Sequence, residues 1–223
     1  MSDLRADVVE RLAGVRERIA SAGGVGVEVV AVTKGFGIDE VRAAHAAGIR
    51  AIGESYAQEA VAKLVADDAR LDVELHFVGR LQRNKVRQLA GIVDVFASID
   101  RRSLLDEVAR RAPGARCLLQ VDAFDEPGKG GCPPSDVVEL CDVALAAGLR
   151  VEGLMAVGPT VGGPEAARPG FRAVRELTSG LGLRVCSMGM TDDLEVAVEE
   201  GATQVRIGSA LFGQRPTRSR PLR

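Results

Sequence analysis

The sequence predicts a single α/β domain in which eight strand and helix units close into a (β/α)8 barrel. Short apolar runs alternate with longer amphipathic segments over the 223 residues. This alternation is typical of parallel strands joined by right-handed helical crossovers. Eight apolar runs favour a closed barrel over the alternative, an open doubly wound sheet. No Gly-x-Gly-x-x-Gly turn follows the first run, which weakens the open sheet further.

An amphipathic helix is predicted ahead of the first strand. Within residues 3–20 the apolar side chains recur at spacings of three and four, namely Leu4, Val8, Leu12, Val15 and Ile19. A stripe of this kind packs against other apolar surface. We expect this helix and the barrel to occupy residues 1–215, with residues 216–223 as a frayed C-terminal tail.

The short apolar runs predict the strands of the barrel, and the amphipathic segments between them predict its helices. The expected strands are residues 28–33, 50–53, 74–78, 93–97, 116–121, 150–156, 184–187 and 203–207. The expected helices are residues 39–47, 56–68, 82–90, 101–111, 135–147, 164–180 and 192–200. Glycines stand at several of the helix ends, where a left-handed residue commonly terminates a helix, namely Gly48, Gly91, Gly148 and Gly201.

The composition excludes several classes of function. The formal net charge is -2, aromatic residues make up 3 % and tryptophan is absent. The chain therefore lacks the basic surface and the stacking side chains of nucleic-acid-binding proteins. No apolar run has the length of a membrane span and the N-terminus shows no export signal, so we expect a cytoplasmic protein without a membrane partner. Four cysteines without a Cys-x-x-Cys pair, and only two histidines, do not indicate a metal cluster.

The functional interpretation depends most on Lys34. This lysine ends the apolar run 29–33 and precedes the loop Gly35-Phe36-Gly37. In a barrel it lies at the carboxyl ends of the strands, where active sites are built. Burial there lowers the pKa of a lysine and leaves its amine nucleophilic toward an aldehyde. Lys34 is thus a candidate for Schiff-base chemistry, the alternative being a lysine that only marks the exit of a strand into solvent.

Other strand ends supply groups that suit a phosphate. Ser187 follows the seventh expected strand, and Gly208 and Ser209 follow the eighth. Barrels commonly bind phosphate at these two loops, although a glycine after a strand is also an ordinary turn residue. The second and sixth strands deliver Ser55 and Met155 to the same end of the barrel.

Arg206 lies two residues before Gly208, where it can contact a ligand ring. A permanent cation beside a pyridine nitrogen disfavours protonation of the ring, whereas the alternative role is an ordinary ion pair at the rim. A lysine and a phosphate-binding site at the same end of the barrel indicate imine chemistry on a phosphorylated carbonyl compound. Two classes satisfy that description: an aldolase-like enzyme and a protein that binds pyridoxal 5'-phosphate (PLP).

Three further features are weaker candidates. His76 lies within the third expected strand. A histidine at such a position is more often structural than catalytic. The basic run 81–87 is typical of a solvated helix face, and it can also guide an anionic ligand. Ser55 and Gln58 have capping-box spacing, so the Ser55 hydroxyl can instead hold the start of a helix.

Separated blocks of the chain carry a family resemblance. They are Ala31-Val32-Thr33-Lys34, Gly53-Glu54-Ser55-Tyr56-Ala57-Gln58-Glu59, His76-Phe77-Val78-Gly79-Arg80-Leu81-Gln82-Arg83-Asn84-Lys85, Gly153-Leu154-Met155-Ala156, Ser187-Met188-Gly189-Met190-Thr191-Asp192-Asp193 and Val205-Arg206-Ile207-Gly208-Ser209-Ala210-Leu211-Phe212-Gly213. Together they resemble the pyridoxal phosphate homeostasis protein family, single-domain relatives of the alanine racemase N-terminal domain. The resemblance implies a fold type III PLP protein.

The resemblance also implies roles for individual residues. It implies that Lys34 holds PLP as a Schiff base, that Arg206 faces the pyridine nitrogen, and that Ser187 with the backbone of Gly208 and Ser209 holds the phosphate. Two positions depart from the family pattern. Ser55 stands where the family commonly has asparagine, and Gly35-Phe36-Gly37 replaces a more usual Thr-Lys-Pro.

We expect a monomeric carrier that buffers PLP or delivers it to PLP-requiring apo-enzymes, with indirect effects on amino-acid and keto-acid balance. Alanine racemase uses a second base, a tyrosine from a separate domain, whereas Tyr56 is the only tyrosine here. The alternatives are an amino-acid racemase, identified by loss of an α-proton, and a lysine-dependent aldolase, identified by purification without bound cofactor.

Overall fold

Eight strands form a closed parallel barrel in sequential order. The computed structural model describes residues 2–65 and 71–215. Its strands are β1 (Glu28–Val32), β2 (Ala51–Glu54), β3 (Glu74–Phe77), β4 (Val95–Ile99), β5 (Arg116–Gln120), β6 (Arg150–Met155), β7 (Val185–Ser187) and β8 (Gln204–Ile207). The last strand pairs with the first, with Val30 opposite Arg206. The predicted (β/α)8 barrel is confirmed, and the open sheet is excluded.

The helices follow most of the predicted spans. They are α1 (Ser2–Ser21), α2 (Ile38–Ala46), α3 (Ala57–Val65), α4 (Arg83–Leu89), α5 (Arg102–Arg111), α6 (Val137–Ala146), α7 (Arg168–Gly180), α8 (Leu194–Glu199) and α9 (Ser209–Phe212). The short helix α9 was not predicted. Residues 66–68, which the sequence assigns to a helix end, and the predicted tail 216–223 lie outside the described residues.

Proline residues divide two of the predicted helices. A 3-10 turn, Pro134–Asp136, precedes α6, and another, Pro164–Ala167, precedes α7. Proline suits the first turn of a helix because its missing N–H has no partner there in any case. Each predicted span therefore contains a short tight turn followed by the regular helix.

Strand β4 begins two residues later than predicted. The amide of Val93 donates to the carbonyl of Leu89 at 3.0 Å, so Val93 still belongs to the turn that ends α4. Asp94 then accepts a hydrogen bond from the amide of Leu75 at 2.7 Å. The apolar side chain of Val93 packs against the core but takes no part in strand pairing.

Helix α1 packs against α2, α8 and α9 on the outside of the barrel. Its predicted stripe is buried at Val8, Leu12, Val15 and Ile19. Arg18 pairs with Glu195 of α8 at 2.6 Å and also donates to the carbonyl of Thr191 at 2.8 Å. The helix is thus fastened to the loop that follows β7, at the carboxyl end of the barrel.

The amino end of the barrel contains a charged cavity of about 620 Å³. Arg116 bridges Glu74 and Glu152, with N···O distances of 2.7 Å to each. His76 lines this cavity, and burial lowers its pKa. His76 is therefore separate from the strand ends where Lys34 lies, and its position is that of a structural residue.

Two negative findings hold for residues 2–65 and 71–215. Within these ranges no helix combines the length and the apolar character that crossing a bilayer requires. The same part of the chain contains no group of three or more His, Cys, Asp or Glu side chains arranged to hold a metal ion. The cysteines are unpaired and buried, namely Cys117, Cys132, Cys141 and Cys186.

Candidate functional site

Lys34 lies directly after β1 at the carboxyl end of the barrel. The preceding residue, Thr33, extends the pairing with β2 through a bond from its amide to the carbonyl of Gly53 at 3.0 Å. The chain turns at once, because the amide of Phe36 donates back to the carbonyl of Thr33 at 3.0 Å. Gly35 makes this turn with a φ of 78°, a backbone conformation that residues other than glycine rarely adopt.

Two adjoining cavities share Lys34 as a lining residue. The larger has a volume of about 580 Å³, within the range of cofactor sites. It is lined by Val32, Lys34, Phe36, Ser55, Val78, Val157, Met190, Thr191, Asp192, Arg206, Gly208, Ser209, Gly213, Gln214 and Arg215. The structure thus brings together most of the predicted site residues, namely Lys34, Ser55, Arg206, Gly208 and Ser209.

The amine of Lys34 has a lowered pKa. Partial burial is the largest cause, and the positive charges of Arg215 and Arg206 lower it further. Both effects disfavour the ammonium form, so a larger share of the amine is neutral than for a lysine in water. A neutral amine is the form that attacks an aldehyde.

Arg206 is held rigidly beside the cavity. Its Nη1 donates to the carbonyl of Ser187 at 2.7 Å and to the Ser187 hydroxyl at 2.9 Å, and its Nη2 donates to the carbonyl of Ala156 at 2.6 Å. Burial lowers the pKa of Arg206 to about 10. The guanidinium is therefore still cationic at neutral pH, and its position is fixed by oxygen atoms of β7 and of the residue that follows β6.

Ser187 and Met155 are placed differently from the other predicted residues. Ser187 has an exposed fraction of 0 % and does not line the larger cavity, because its hydroxyl accepts the bond from Arg206. Met155 is fully buried with Val95 and Leu118 in an apolar cluster. Ser187 thus orients a cavity residue, and Met155 belongs to the packing of the barrel.

Glycine and hydroxyl groups form one edge of the larger cavity. A Cβ atom at Gly208 would lie 3.1 Å from the carbonyl oxygen of Val32, so the backbone approaches β1 closely here. Ser209 donates from its hydroxyl to that of Thr191 at 3.0 Å. Asp193 accepts a bond from the amide of Met190 at 2.6 Å and so fixes the loop after β7. The amide of Met190 is thus already engaged, and the groups at this edge that suit a phosphate are the hydroxyls of Ser209 and Thr191.

The smaller cavity, about 460 Å³ in volume, has a cationic lining. Besides Lys34 it is lined by Arg80, Lys85 and Lys129, and by no carboxylate among the described residues. Lys129 is already engaged, because it pairs with Glu126 and donates to the carbonyl of Gly158. The basic run predicted after the third strand thus contributes Lys85 to an anion-attracting surface beside Lys34.

Ser55 lines both cavities. Helix α3 begins two residues after Ser55, at Ala57. Among the described residues the Ser55 hydroxyl makes no bond that caps this helix. The capping interpretation is therefore wrong, and the hydroxyl is available to a ligand.

Arg215 and Thr191 are among the lining residues that were not candidates from the sequence. Arg215 lies at the boundary assigned to a frayed tail, yet it lines the larger cavity and a Cβ at Gly35 would lie 3.1 Å from its Cδ. Thr191 also lines that cavity. The only signal for Thr191 was its place in the block that follows the seventh strand, and Arg215 carried no local signal.

Comparison with known proteins identifies the family. The family described as "Alanine racemase, N-terminal domain" matches residues 8–216. A pyridoxal phosphate homeostasis protein of Pseudomonas aeruginosa is 39 % identical, covering 96 % of this chain and 97 % of the relative. The chain belongs to the pyridoxal phosphate homeostasis protein family. The resemblance predicted from the sequence blocks is thereby confirmed.

Other members and solved structures agree with this assignment. The homologue of Aquifex aeolicus, also described as a pyridoxal phosphate homeostasis protein, is 40 % identical over 92 % of this chain and 97 % of its own. PipY of Synechococcus elongatus PCC7942, solved with PLP bound, has a TM-score of 0.82 at 31 % identity and covers 92 % of this chain and 100 % of PipY. A D-threo-3-hydroxyaspartate dehydratase, 18 % identical with a TM-score of 0.70, shares the fold.

Proposed function

We propose that this protein binds PLP through Lys34 and buffers or delivers it in the cell. The observation that carries the proposal is the meeting of Lys34, Arg206 and the Gly208 edge in one cavity of about 580 Å³. The names of the curated relatives and the PLP-bound structure of PipY support it. PLP supplies an aldehyde that an amine captures as an imine, together with a pyridine ring that withdraws electrons.

The described residues fit the chemical groups of PLP. Lys34 offers an amine of lowered pKa for the aldehyde. Gly208 has no Cβ, so its backbone can lie close to Val32. The hydroxyls of Ser209 and Thr191 lie at the same edge of the cavity, and this edge suits the phosphate. In our proposal Ser55 contacts the ligand from the second strand, where it lines both cavities.

Arg206 has a proposed role at the ring of the ligand. We assign its guanidinium to the pyridine nitrogen, where a fixed cation disfavours ring protonation and so weakens electron withdrawal. Three bonds to Ser187 and Ala156 hold the guanidinium, and its pKa of about 10 keeps it charged at neutral pH. The contribution we propose for Ser187 is therefore to orient Arg206, which would contact the ligand.

Among the described residues that line the smaller cavity, Tyr56 is the candidate for a second proton carrier. Tyr56 lines the smaller cavity with Lys34 but is 53 % exposed, and no carboxylate among the described residues lines that cavity. Proton transfer requires a group held within hydrogen-bond reach of the reacting atom, and an exposed side chain is not held in this way. We therefore propose a non-catalytic carrier, with an amino-acid racemase as the second candidate because Tyr56 adjoins Lys34.

The proposed partners are PLP itself and PLP-requiring apo-enzymes. Both cavities open at the same end of the barrel and share Lys34, which leaves the cofactor site accessible to an acceptor protein. We further propose that the protein acts as a monomer, since the site is assembled from one chain. We propose no ligand contact for Met155, which packs inside the barrel.

The first test is the visible absorption spectrum of the purified protein mixed with PLP, before and after borohydride reduction. Peptide mass spectrometry then locates the reduced adduct. We expect a visible band in the wild type and an adduct on Lys34, and we expect Lys34→Ala to lose that adduct. His45→Ala, a substitution on the outer helix α2, serves as the matched control and should behave as the wild type.

Two further measurements separate the candidate functions. Transfer of PLP to an apo-enzyme, followed by recovery of its activity, supports the carrier. Exchange of an amino-acid α-proton with deuterated water, dependent on Tyr56, would instead support the racemase. A protein that neither retains nor takes up PLP would contradict the cofactor assignment and favour a lysine-dependent aldolase.

A further inference from the structure

The two peptide groups that flank Lys34 are both bonded by helix α3. Before Lys34, the carbonyl of Thr33 accepts a hydrogen bond from Nζ of Lys63 at 2.6 Å. After Lys34, the amide of Gly35 donates to Oε2 of Glu59 at 2.8 Å. Lys63 and Glu59 are four residues apart and so project from one side of α3. The backbone on each side of Lys34 is thus held from outside the barrel wall.

Lys63 is itself fixed by a buried carboxylate. Its Nζ lies 2.7 Å from Oε1 of Glu54, the last residue of β2, and Thr33 donates from its hydroxyl to the same oxygen. The side chain of Lys63 is 9 % exposed and that of Glu54 is 1 % exposed. Glu54 therefore ties three elements together: β1 through Thr33, α3 through Lys63, and its own strand.

The cost of burying the ion pair of Lys63 and Glu54 argues against a role of this pair in stability alone. Moving two opposite charges out of water costs about as much as their attraction returns, so apolar residues of similar volume often stabilise a protein equally well. Oε2 of Glu54 is buried and has no partner among the described residues, which adds to that cost. What the pair achieves, and an apolar pair cannot, is a directed bond to the carbonyl of Thr33.

We propose that Lys63 and Glu54 are positioning residues that fix the direction in which Lys34 enters the ligand cavity. This inference rests on the proposed function of Lys34, because a fixed direction matters only if its amine must meet a ligand. Thr33 and Lys34 are adjacent, so a shift of the Thr33 carbonyl moves the start of the Lys34 side chain directly. Displacements of about 1 Å at a reacting group are enough to change rates by roughly a hundredfold.

The test uses a double substitution, Glu54→Gln with Lys63→Met. This variant removes the charges of Glu54 and Lys63 together and removes the bond to Thr33. Glu59 loses the ammonium group of Lys63 at 4.0 Å and retains its bond from the amide of Gly35. The control is the double substitution Glu152→Gln with Arg116→Met, which removes an ion pair at the opposite end of the barrel together with the contact of Arg116 to Glu74. A third variant, Lys63→Arg, keeps a cationic donor at the same place.

The first readout needs no PLP. NMR titration of the apo-protein labelled at lysine Cε gives the pKa of Lys34, assigned by its loss in Lys34→Ala. We expect the Glu54→Gln, Lys63→Met variant to raise this pKa toward the ordinary lysine value, because a released Lys34 reaches water more easily. The control at Arg116 should leave it unchanged, and Lys63→Arg should restore most of the wild-type value.

The second readout is the rate at which the loaded protein releases PLP to a trapping apo-enzyme. We expect release to be about tenfold or more faster in the Glu54→Gln, Lys63→Met variant and close to the wild type in the control. A variant that loses thermal stability but keeps the Lys34 pKa and the release rate would overturn the inference. If the wild type binds no PLP, the proposed function fails, while the apo titration still decides the positioning role.

Discussion

Arg206 donates from Nη1 to both oxygen atoms of Ser187, to the carbonyl at 2.7 Å and to the hydroxyl at 2.9 Å. Both residues are buried, so this contact replaces water that part of the guanidinium would otherwise bind. It also explains how a serine that does not line the cavity can affect what the cavity holds.

Replacing Ser187 by alanine is expected to destabilise the protein and loosen Arg206. A hydrogen bond to a charged group contributes roughly 2 kcal/mol, and the carbonyl of Ser187 would still accept one bond. Urea unfolding measures the loss. The matched control is Ser98→Ala, which removes a neutral bond from a buried hydroxyl to the carbonyl of Gly79 and should cost about 1 kcal/mol. Equal losses in both variants would contradict a charge-assisted bond at Ser187.

Replacing Gly208 by alanine is expected to weaken PLP binding while leaving the fold largely intact. The added Cβ would lie 3.1 Å from the carbonyl oxygen of Val32, so the backbone must shift by a few tenths of an ångström just where we place the phosphate. We expect the dissociation constant for PLP to rise about tenfold, measured by equilibrium dialysis.

The control for Gly208 is Gly14→Ala in α1, where an added Cβ meets nothing within 4 Å. That substitution should leave PLP affinity unchanged and increase stability by about 0.5–1 kcal/mol, because alanine favours a helix over glycine. A Gly208→Ala protein with wild-type affinity would remove Gly208 from the phosphate edge.

Substituting Arg215 by glutamine is expected to raise the pKa of Lys34. Arg215 is one of the two cations that lower it, after the larger effect of burial, so the pKa should rise and still stay below the ordinary value of 10.5. Reaction of Lys34 with an aldehyde, trapped by reduction at a series of pH values and quantified by mass spectrometry, reports the midpoint. Arg50→Gln, at the amino end of the barrel, should leave that midpoint in place.

The lowered pKa of Lys34 also predicts a pH dependence of stability. Between the pKa of Lys34 in the folded protein and the ordinary value of 10.5, the unfolded chain binds more protons at this site than the folded chain. The free energy of unfolding contributed by Lys34 therefore rises with pH across this interval. Comparing the wild type with Lys34→Met by urea unfolding at several alkaline pH values isolates the effect, and a difference that falls with rising pH would contradict it.

Substituting Arg116 by methionine is expected to reduce stability without affecting the ligand site. The guanidinium bridges Glu74 and Glu152, and its loss leaves two carboxylates facing each other at the amino end. Since all three groups are partly exposed, we expect a loss of roughly 1–3 kcal/mol in thermal or urea unfolding. PLP affinity should not change, and a parallel loss of affinity would show that the two ends of the barrel are coupled.

The barrel and the position of Lys34 could be predicted from the sequence because both follow from local pattern. Alternating apolar and amphipathic runs define the strands, and a residue that directly follows a strand must lie at the carboxyl end of a parallel barrel. Lys34, Gly208 and Ser209 therefore lie at one cavity, as expected.

The orientation of side chains and the long-range contacts could not be predicted in this way. The sequence shows that Ser187 ends a strand, but not that its hydroxyl faces Arg206 instead of the cavity. The bond between Lys63 and the carbonyl of Thr33 depends on how α3 lies against β1 and β2. Arg215 follows α9 in the chain and lines the cavity, which no local pattern around it indicates.

The pairing of β1 with β8 sets an order of events during protein synthesis. Lys34 is made early, whereas Arg206 and Gly208 belong to the last strand and the turn after it. Val30 of β1 has no partner on that side until Arg206 has left the ribosome. The complete site that we assign to PLP therefore forms only after nearly the whole barrel has been translated.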